Sequence, residues 1–109
     1  MPHIDLEPGV PGIRSAMQFR PETARPLLEL AETLLRDDNT LSRGERELIA
    51  AYVSRLNDCT FCHASHRAFA GAQLDEGVTL VDQVSSDLAT APVSEKLRAL
   101  LAIAGKVAR

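Results

Sequence analysis

From Ser42 onward, apolar residues return every three or four positions, and no stretch alternates apolar with polar for long enough to make a strand. A chain patterned this way buries its stripes by packing helix on helix, so the predicted class is all-α. Leu48, Ile49, Tyr52, Val53 and Leu56 form the firmest stripe, and Ser42 with Glu45 three residues on is the capping-box pattern that starts such a helix. Asn57-Asp58 breaks this helix and is suited to cap the next, which carries Cys59 and Cys62 and runs through His66 and Phe69 towards Gly71.

The flanking patterns are weaker. Pro2, Pro8, Gly9, Pro11 and Gly12 make residues 1–12 an irregular arm, followed by a short helix from Ile13 to Phe19. Pro21-Glu22-Thr23 opens a longer helix with Leu27, Leu28, Ala31, Leu34 and Leu35 at helical spacing, which Asp37-Asp38-Asn39 stops. Pro26 fits that helix only in the first turn, where no backbone donor is needed. Leu74 to Val84 predicts a weaker helix burying Leu80, Val81 and Val84, with a turn at Ser85-Ser86-Asp87. Pro92 and Ser94 introduce a last helix whose stripe of Leu97, Leu100, Leu101, Ala104 and Val107 reaches the end with no stop signal. Either further residues follow Arg109 or a neighbouring subunit covers that stripe.

With 109 residues and 45% apolar content, the expectation is a single domain with a modest core. A net charge of −3 without a long basic run argues against nucleic acid or an anionic membrane as partner. Met1 to Val10 lacks the pattern of a signal peptide and no apolar stretch reaches membrane-spanning length, so the expected compartment is the cytoplasm. A disulfide across only two intervening residues removes little unfolded-state entropy, so the cysteines read as catalytic or metal-binding and not as a staple.

Cys59-Thr60-Phe61-Cys62-His63-Ala64-Ser65-His66 gathers both cysteines and two of the three histidines into eight residues. Thiols three apart on a helix share a face with Cα atoms roughly 5 Å apart, which suits a reversible disulfide. His66, four beyond Cys62, shares the face and can take a thiol proton, while Cys59 has the thiolate-stabilising end of the helix. Glu47 lies twelve residues before Cys59, on a side of its helix that passes Ala51 and Ser54, and can face the thiols across a hairpin. A carboxylate there would favour a protonated imidazole and complete a thiol, histidine, carboxylate relay.

Competing chemistries use the same residues. Cys59-Thr60-Phe61-Cys62-His63 matches the c-type haem attachment pattern, but no export signal accompanies it and Met17 has no special claim as an axial ligand. Cys59, Cys62, His63 and His66 are acceptable zinc ligands, yet His63 lies about 100° around the helix from Cys62, which hinders convergence on one tetrahedral centre. His63 therefore reads as a surface or supporting residue and His3 as part of the arm. Phe61 and Phe69 read as core or interface side chains, and Tyr52 as core.

Glu47, the C-x-x-C of Cys59 and Cys62, and Ser65-His66, with Phe19-Arg20-Pro21-Glu22-Thr23 and Leu41-Ser42 outside them, resemble the alkyl hydroperoxidase D-like, or carboxymuconolactone decarboxylase, superfamily in its peroxidase-related branch. That family's motif is a glutamate, an eleven-residue gap, C-x-x-C and a histidine four after the second cysteine, and each spacing is met. The resemblance implies an all-α helical bundle with the C-x-x-C at the start of a central helix, usually assembled as a homo-oligomer, a trimer or a larger ring. It implies a thiol peroxidase or disulfide oxidoreductase that needs no cofactor or metal, taking a hydroperoxide as substrate and an external dithiol as reductant. Carried over, Cys59 and Cys62 are the redox pair, His66 the proton-transfer partner and Glu47 the distal carboxylate. The nearby histidine favours Cys62 as the thiol that attacks the peroxide, with Cys59 closing the disulfide, whereas the helix terminus favours Cys59 as the attacker.

This sequence departs from the pattern at Phe61, where some members carry a histidine. Members of the branch commonly continue for several more helices, and the decarboxylase members lack the cysteine pair. The alternative from a different class is a helical assembly module without peroxidase turnover, in which the cysteines act as a redox latch or bind zinc.

Overall fold

Six helices and no strand occupy residues 2–109, which the computed structural model describes: α1 Ile13–Phe19, α2 Pro21–Leu35, α3 Arg43–Leu56, α4 Thr60–Gln73, α5 Val78–Ser86 and α6 Glu95–Ala108. The backbone divides into two units, one running to Asp38 and one spanning Asn39–Arg109. None of the helices in the described residues is long and apolar enough to cross a membrane.

In the first unit α1 packs on α2. Pro21 opens α2, where its missing N–H is harmless, but Pro26 lies inside the helix and beyond the first turn, contrary to the sequence expectation. The helix continues past it, and the Glu22 carbonyl forgoes the donor that residue 26 would ordinarily supply. Ion pairs one turn apart, Arg25 with Glu29 at 3.6 Å and Arg36 with Glu32 at 3.3 Å, line its polar side. None of its residues is buried, and Leu28 and Leu34 stand 58% and 59% exposed.

The second unit is organised around α3, which packs on α4, α5 and α6. Its start is the predicted capping box: the Glu45 N–H donates to Ser42 Oγ at 3.0 Å, and the Ser42 N–H donates to Glu45 Oε1 at 2.9 Å. The buried face differs from the predicted stripe. Gly44, Glu47, Leu48, Ala51 and Ser54 are buried, whereas Ile49, Tyr52, Val53 and Leu56 are half-buried. Small side chains explain the rotation, because they let neighbouring segments come close. A Cβ on Gly44 would stand 2.7 Å from Leu74 Cδ2.

Gly71 lies within α4 and does not end it. A Cβ there would meet Val78 Cγ1 at 2.5 Å, so this glycine permits the close crossing of α4 and α5. α5 begins later than predicted, at a Gly77 cap whose φ of 66° favours glycine. It buries Leu80, Val81 and Val84 as expected, alongside Leu48, Ala70, Leu97 and Leu101. Arg98 ties down the α5–α6 connection by donating to the carbonyls of Leu88, Ala89, Ala91 and Val93. Ser94 caps α6 by accepting the Leu97 N–H at 3.1 Å. Of the aromatic residues read as packing, Tyr52 lies half-buried against the core, while Phe61 and Phe69 remain 38% and 50% exposed.

Candidate active site

A turn of three residues joins α3 to α4 and sets the thiols at a helix start. Asp58 takes a left-handed conformation with φ 53°, and the Cys59 N–H donates to the Ser54 carbonyl at 3.0 Å. The sequence suggested Asn57-Asp58 as the cap of α4. Cys59 itself is the cap: its backbone is extended and its Sγ accepts the Cys62 N–H at 3.3 Å. This sulfur thus sits where the helix dipole and the Cys62 amide stabilise negative charge. Cys59 and Cys62 are joined as a disulfide, with Cα atoms 5.3 Å apart.

Facing them, α3 offers two acceptors one turn apart, and each holds a histidine of α4. The Nδ1–H of His66 donates to Glu47 Oε2 at 2.6 Å. The Glu47 side chain is 7% exposed and that of His66 27%, so water screens this contact only weakly. The Nδ1–H of His63 donates to the Ala51 carbonyl at 2.9 Å. A carbonyl only accepts, so Nδ1 of His63 must carry the hydrogen, and Nε2 is the lone-pair nitrogen of its neutral ring. His66 follows Cys62 by four residues and His63 follows Cys59 by four, so the same one-turn spacing occurs twice.

Beside the disulfide lies an open cavity of about 410 Å³. Cys59, His63 and Arg67 line it from α4 and its cap, and Ser54, Arg55 and Asp58 from α3 and the turn; Cys62 and His66 do not line it. Arg67 binds Asp82 of α5 through two hydrogen bonds, of 2.7 and 2.8 Å. Those bonds hold the Asp82 carboxyl below the usual carboxylate range and raise the guanidinium above its ordinary value. Arg55 meets Asp58 only at 4.0 Å. The cavity rim therefore carries two guanidinium groups, one of them paired through two hydrogen bonds with Asp82.

The four residues singled out by sequence, Cys59, Cys62, His66 and Glu47, all fall within the α3–α4 hairpin, and Glu47 is buried at the His66 ring. The sequence reads His63 as surface or supporting, and the structure adds its bond to Ala51. A backbone acceptor leaves no mark in a sequence, but the repeated Cys-to-His spacing was a visible sign. Among the described residues no three histidine, cysteine or acidic side chains are grouped as a metal would require. The two imidazoles turn instead to separate acceptors on α3.

The crystal structure of an alkylhydroperoxidase AhpD core, an uncharacterized peroxidase-related protein from Ralstonia eutropha JMP134, superposes with a TM-score of 0.79 at 29% identity. The match covers 92% of this chain and 52% of that one, so this chain spans about half the length of that protein. Among curated proteins none matches significantly. The helical bundle is that of the AhpD core, with the disulfide at the start of α4. Residues 21–104 match the carboxymuconolactone decarboxylase family model, and the chain belongs to that family.

Proposed function

We propose that this chain is a thiol-dependent peroxidase that reduces hydroperoxides through Cys59 and Cys62, with His66 and Glu47 moving the protons. The observation that carries this reading is the buried Glu47 carboxylate on His66 Nδ1, one helical turn from a cysteine that forms a disulfide. A buried carboxylate is retained in a small core only where something stabilises it, and here its partner is the ring of the relay. Likeness to a peroxidase-related protein supports the redox branch of the family over the decarboxylase branch.

In this mechanism His66 takes the Cys62 proton, and the thiolate attacks one peroxide oxygen. The O–O bond breaks, His66 returns the proton to the leaving alkoxide, and Cys62 becomes a sulfenic acid. Glu47 stabilises the positive imidazole between these two transfers. Cys59, whose sulfur lies at the helix start, attacks the sulfenic sulfur and expels water, which leaves the disulfide. An external dithiol restores both thiols, in keeping with a reducing, cytoplasmic setting.

The test is loss of hydroperoxide with dithiothreitol present, comparing the parent with His66→Ala and with each cysteine changed to serine. His66→Ala is expected to lose about a hundredfold, and trapped sulfenate should accumulate in Cys59→Ser. A His66→Ala rate equal to the parent's removes the relay, and sulfenate surviving only in Cys62→Ser reverses the roles of the sulfurs. The same reading takes the working form as a homo-oligomer, with the exposed leucines of α2 in need of cover. Sedimentation should show a multimer that Leu28→Glu weakens; a monomeric parent at micromolar concentration rules this out.

A further inference from the structure

The reaction cycle above needs a route by which the disulfide is reduced, and the two sulfurs are not equivalent to a visitor. Cys59 lines the open cavity of about 410 Å³ and Cys62 does not. The histidine that shares this cavity is His63, whose Nδ1 is committed to the Ala51 carbonyl at 2.9 Å. Its remaining nitrogen is the proton-accepting one, held in a fixed tautomer on the same helical register from Cys59 as His66 is from Cys62.

We propose that this cavity admits the reducing dithiol and that His63 is the proton carrier of the reductive half-cycle, serving Cys59 as His66 serves Cys62. His63 takes the proton from the first thiol of the visitor as its sulfur attacks Cys59 Sγ. The Cys59–Cys62 bond breaks and Cys62 leaves as the thiolate. The visitor's second thiol then attacks its own sulfur in the mixed disulfide, giving its proton through water to His66, which passes it to Cys62. Cys59 departs and recovers the proton held on His63. The visitor loses two electrons and two protons, the protein gains both, and each ring ends as it began.

The groups around His63 are consistent with this role. Arg55 and Asp58 approach from α3 and its turn, Arg67 from α4 and Asp82 from α5, whose carboxylate lies close enough to interact with the ring. Arg67 and Asp82 neutralise one another, so no unopposed cation at that side repels a protonated imidazole. The inference rests on the proposed cycling of the disulfide but not on the identity of the oxidant.

The experiment follows reduction of the oxidised protein by dithiothreitol, with samples quenched by an alkylating agent and read by mass, so no peroxide is involved. His63→Asn places an amide where Nδ1 stands and can keep the Ala51 bond while removing the proton-accepting nitrogen. The rate constant at pH 7 should fall about a hundredfold in this variant, recover in part with added imidazole, and converge with the parent near pH 10, where a thiol of ordinary pKa is already ionised. His63→Gln should behave in the same way and stands in if the asparagine variant does not fold. Parent-like rates at pH 7, or a deficit as large at pH 10 as at pH 7, overturn the proposal. A parent that is reduced normally but consumes no hydroperoxide would instead remove the peroxidase reading and leave this one standing.

Discussion

Replacing Glu47 by glutamine separates chemistry from stability, because the two side chains share a shape and differ in charge. The carboxylate meets His66 at 2.6 Å with its side chain only 7% exposed, so solvent does little to weaken the contact. A hydrogen bond to a charged group is worth about 1.5–3 kcal/mol and a neutral one about 0.5–1.5. If the carboxylate holds the protonated ring more tightly than the neutral one by a comparable amount, roughly 1–1.5 kcal/mol, its loss converts to about a tenfold loss of rate. The folded state gives up a buried charge and keeps a partner for the ring, so its stability should move by less than about 1 kcal/mol in either direction. For a domain of this size that is within about 8 °C in Tm. Single-turnover oxidation of the reduced protein by a hydroperoxide gives the rate, and circular dichroism on heating gives Tm. In a His66→Ala background the glutamine should cost almost nothing further, since both changes remove one pair. A Tm lowered by more than about 15 °C with an unchanged rate would show that Glu47 holds the helices together and moves no proton.

Three further outcomes concern the scaffold. Ser42→Ala removes the oxygen that accepts the Glu45 N–H at 3.0 Å and should cost about 1 kcal/mol, read as a lower denaturant midpoint at unchanged slope. Gly71→Ala forces a methyl to within 2.5 Å of Val78 Cγ1. Overpacking of about 1–3 kcal/mol against a helix-propensity gain of about 1 predicts a net loss of up to about 2, and a raised Tm would contradict the close crossing. Asp82 has its folded pKa depressed by the Arg67 hydrogen bonds, so the stability it adds is fully present above the unfolded value near pH 4 and fades as pH falls through the lower folded value. The stability difference between parent and Asp82→Asn should therefore stay flat from about pH 7 to 5 and shrink below about pH 4; exposure of both side chains keeps it small.

What could be read from the residues was what neighbours along the chain decide. Ser42 and Glu45 cap α3 through bonds spanning three positions, and Leu80, Val81 and Val84, apolar at helical spacing, are buried. Glu47 was placed on the Ala51 and Ser54 side by helical arithmetic, and that side is buried. The stripe of Tyr52, Val53 and Leu56 was overrated because bulk attracts attention, whereas Gly44, Ala51 and Ser54 admit the closest neighbours. Asn57-Asp58 is the stronger cap by residue type because a sulfur is a weaker acceptor than an Asx oxygen, yet the left-handed Asp58 precedes Cys59 at the cap position. Pro26 inside α2 shows tertiary structure tolerating what local propensity opposes. The His63 bond to Ala51 involved a main-chain oxygen and so had no residue type to announce it.

The short link from Asn57 to Cys59 has a consequence for how this chain can vary. Both imidazoles are anchored to α3 across that one reversal, at Glu47 and at Ala51. A residue added to the link must be absorbed within the turn, because any shift of α4 against α3 moves both rings off their acceptors together while every side chain of the site remains in the sequence. Length at this corner thus bears on both contacts at once, whereas a change of one side chain bears on one.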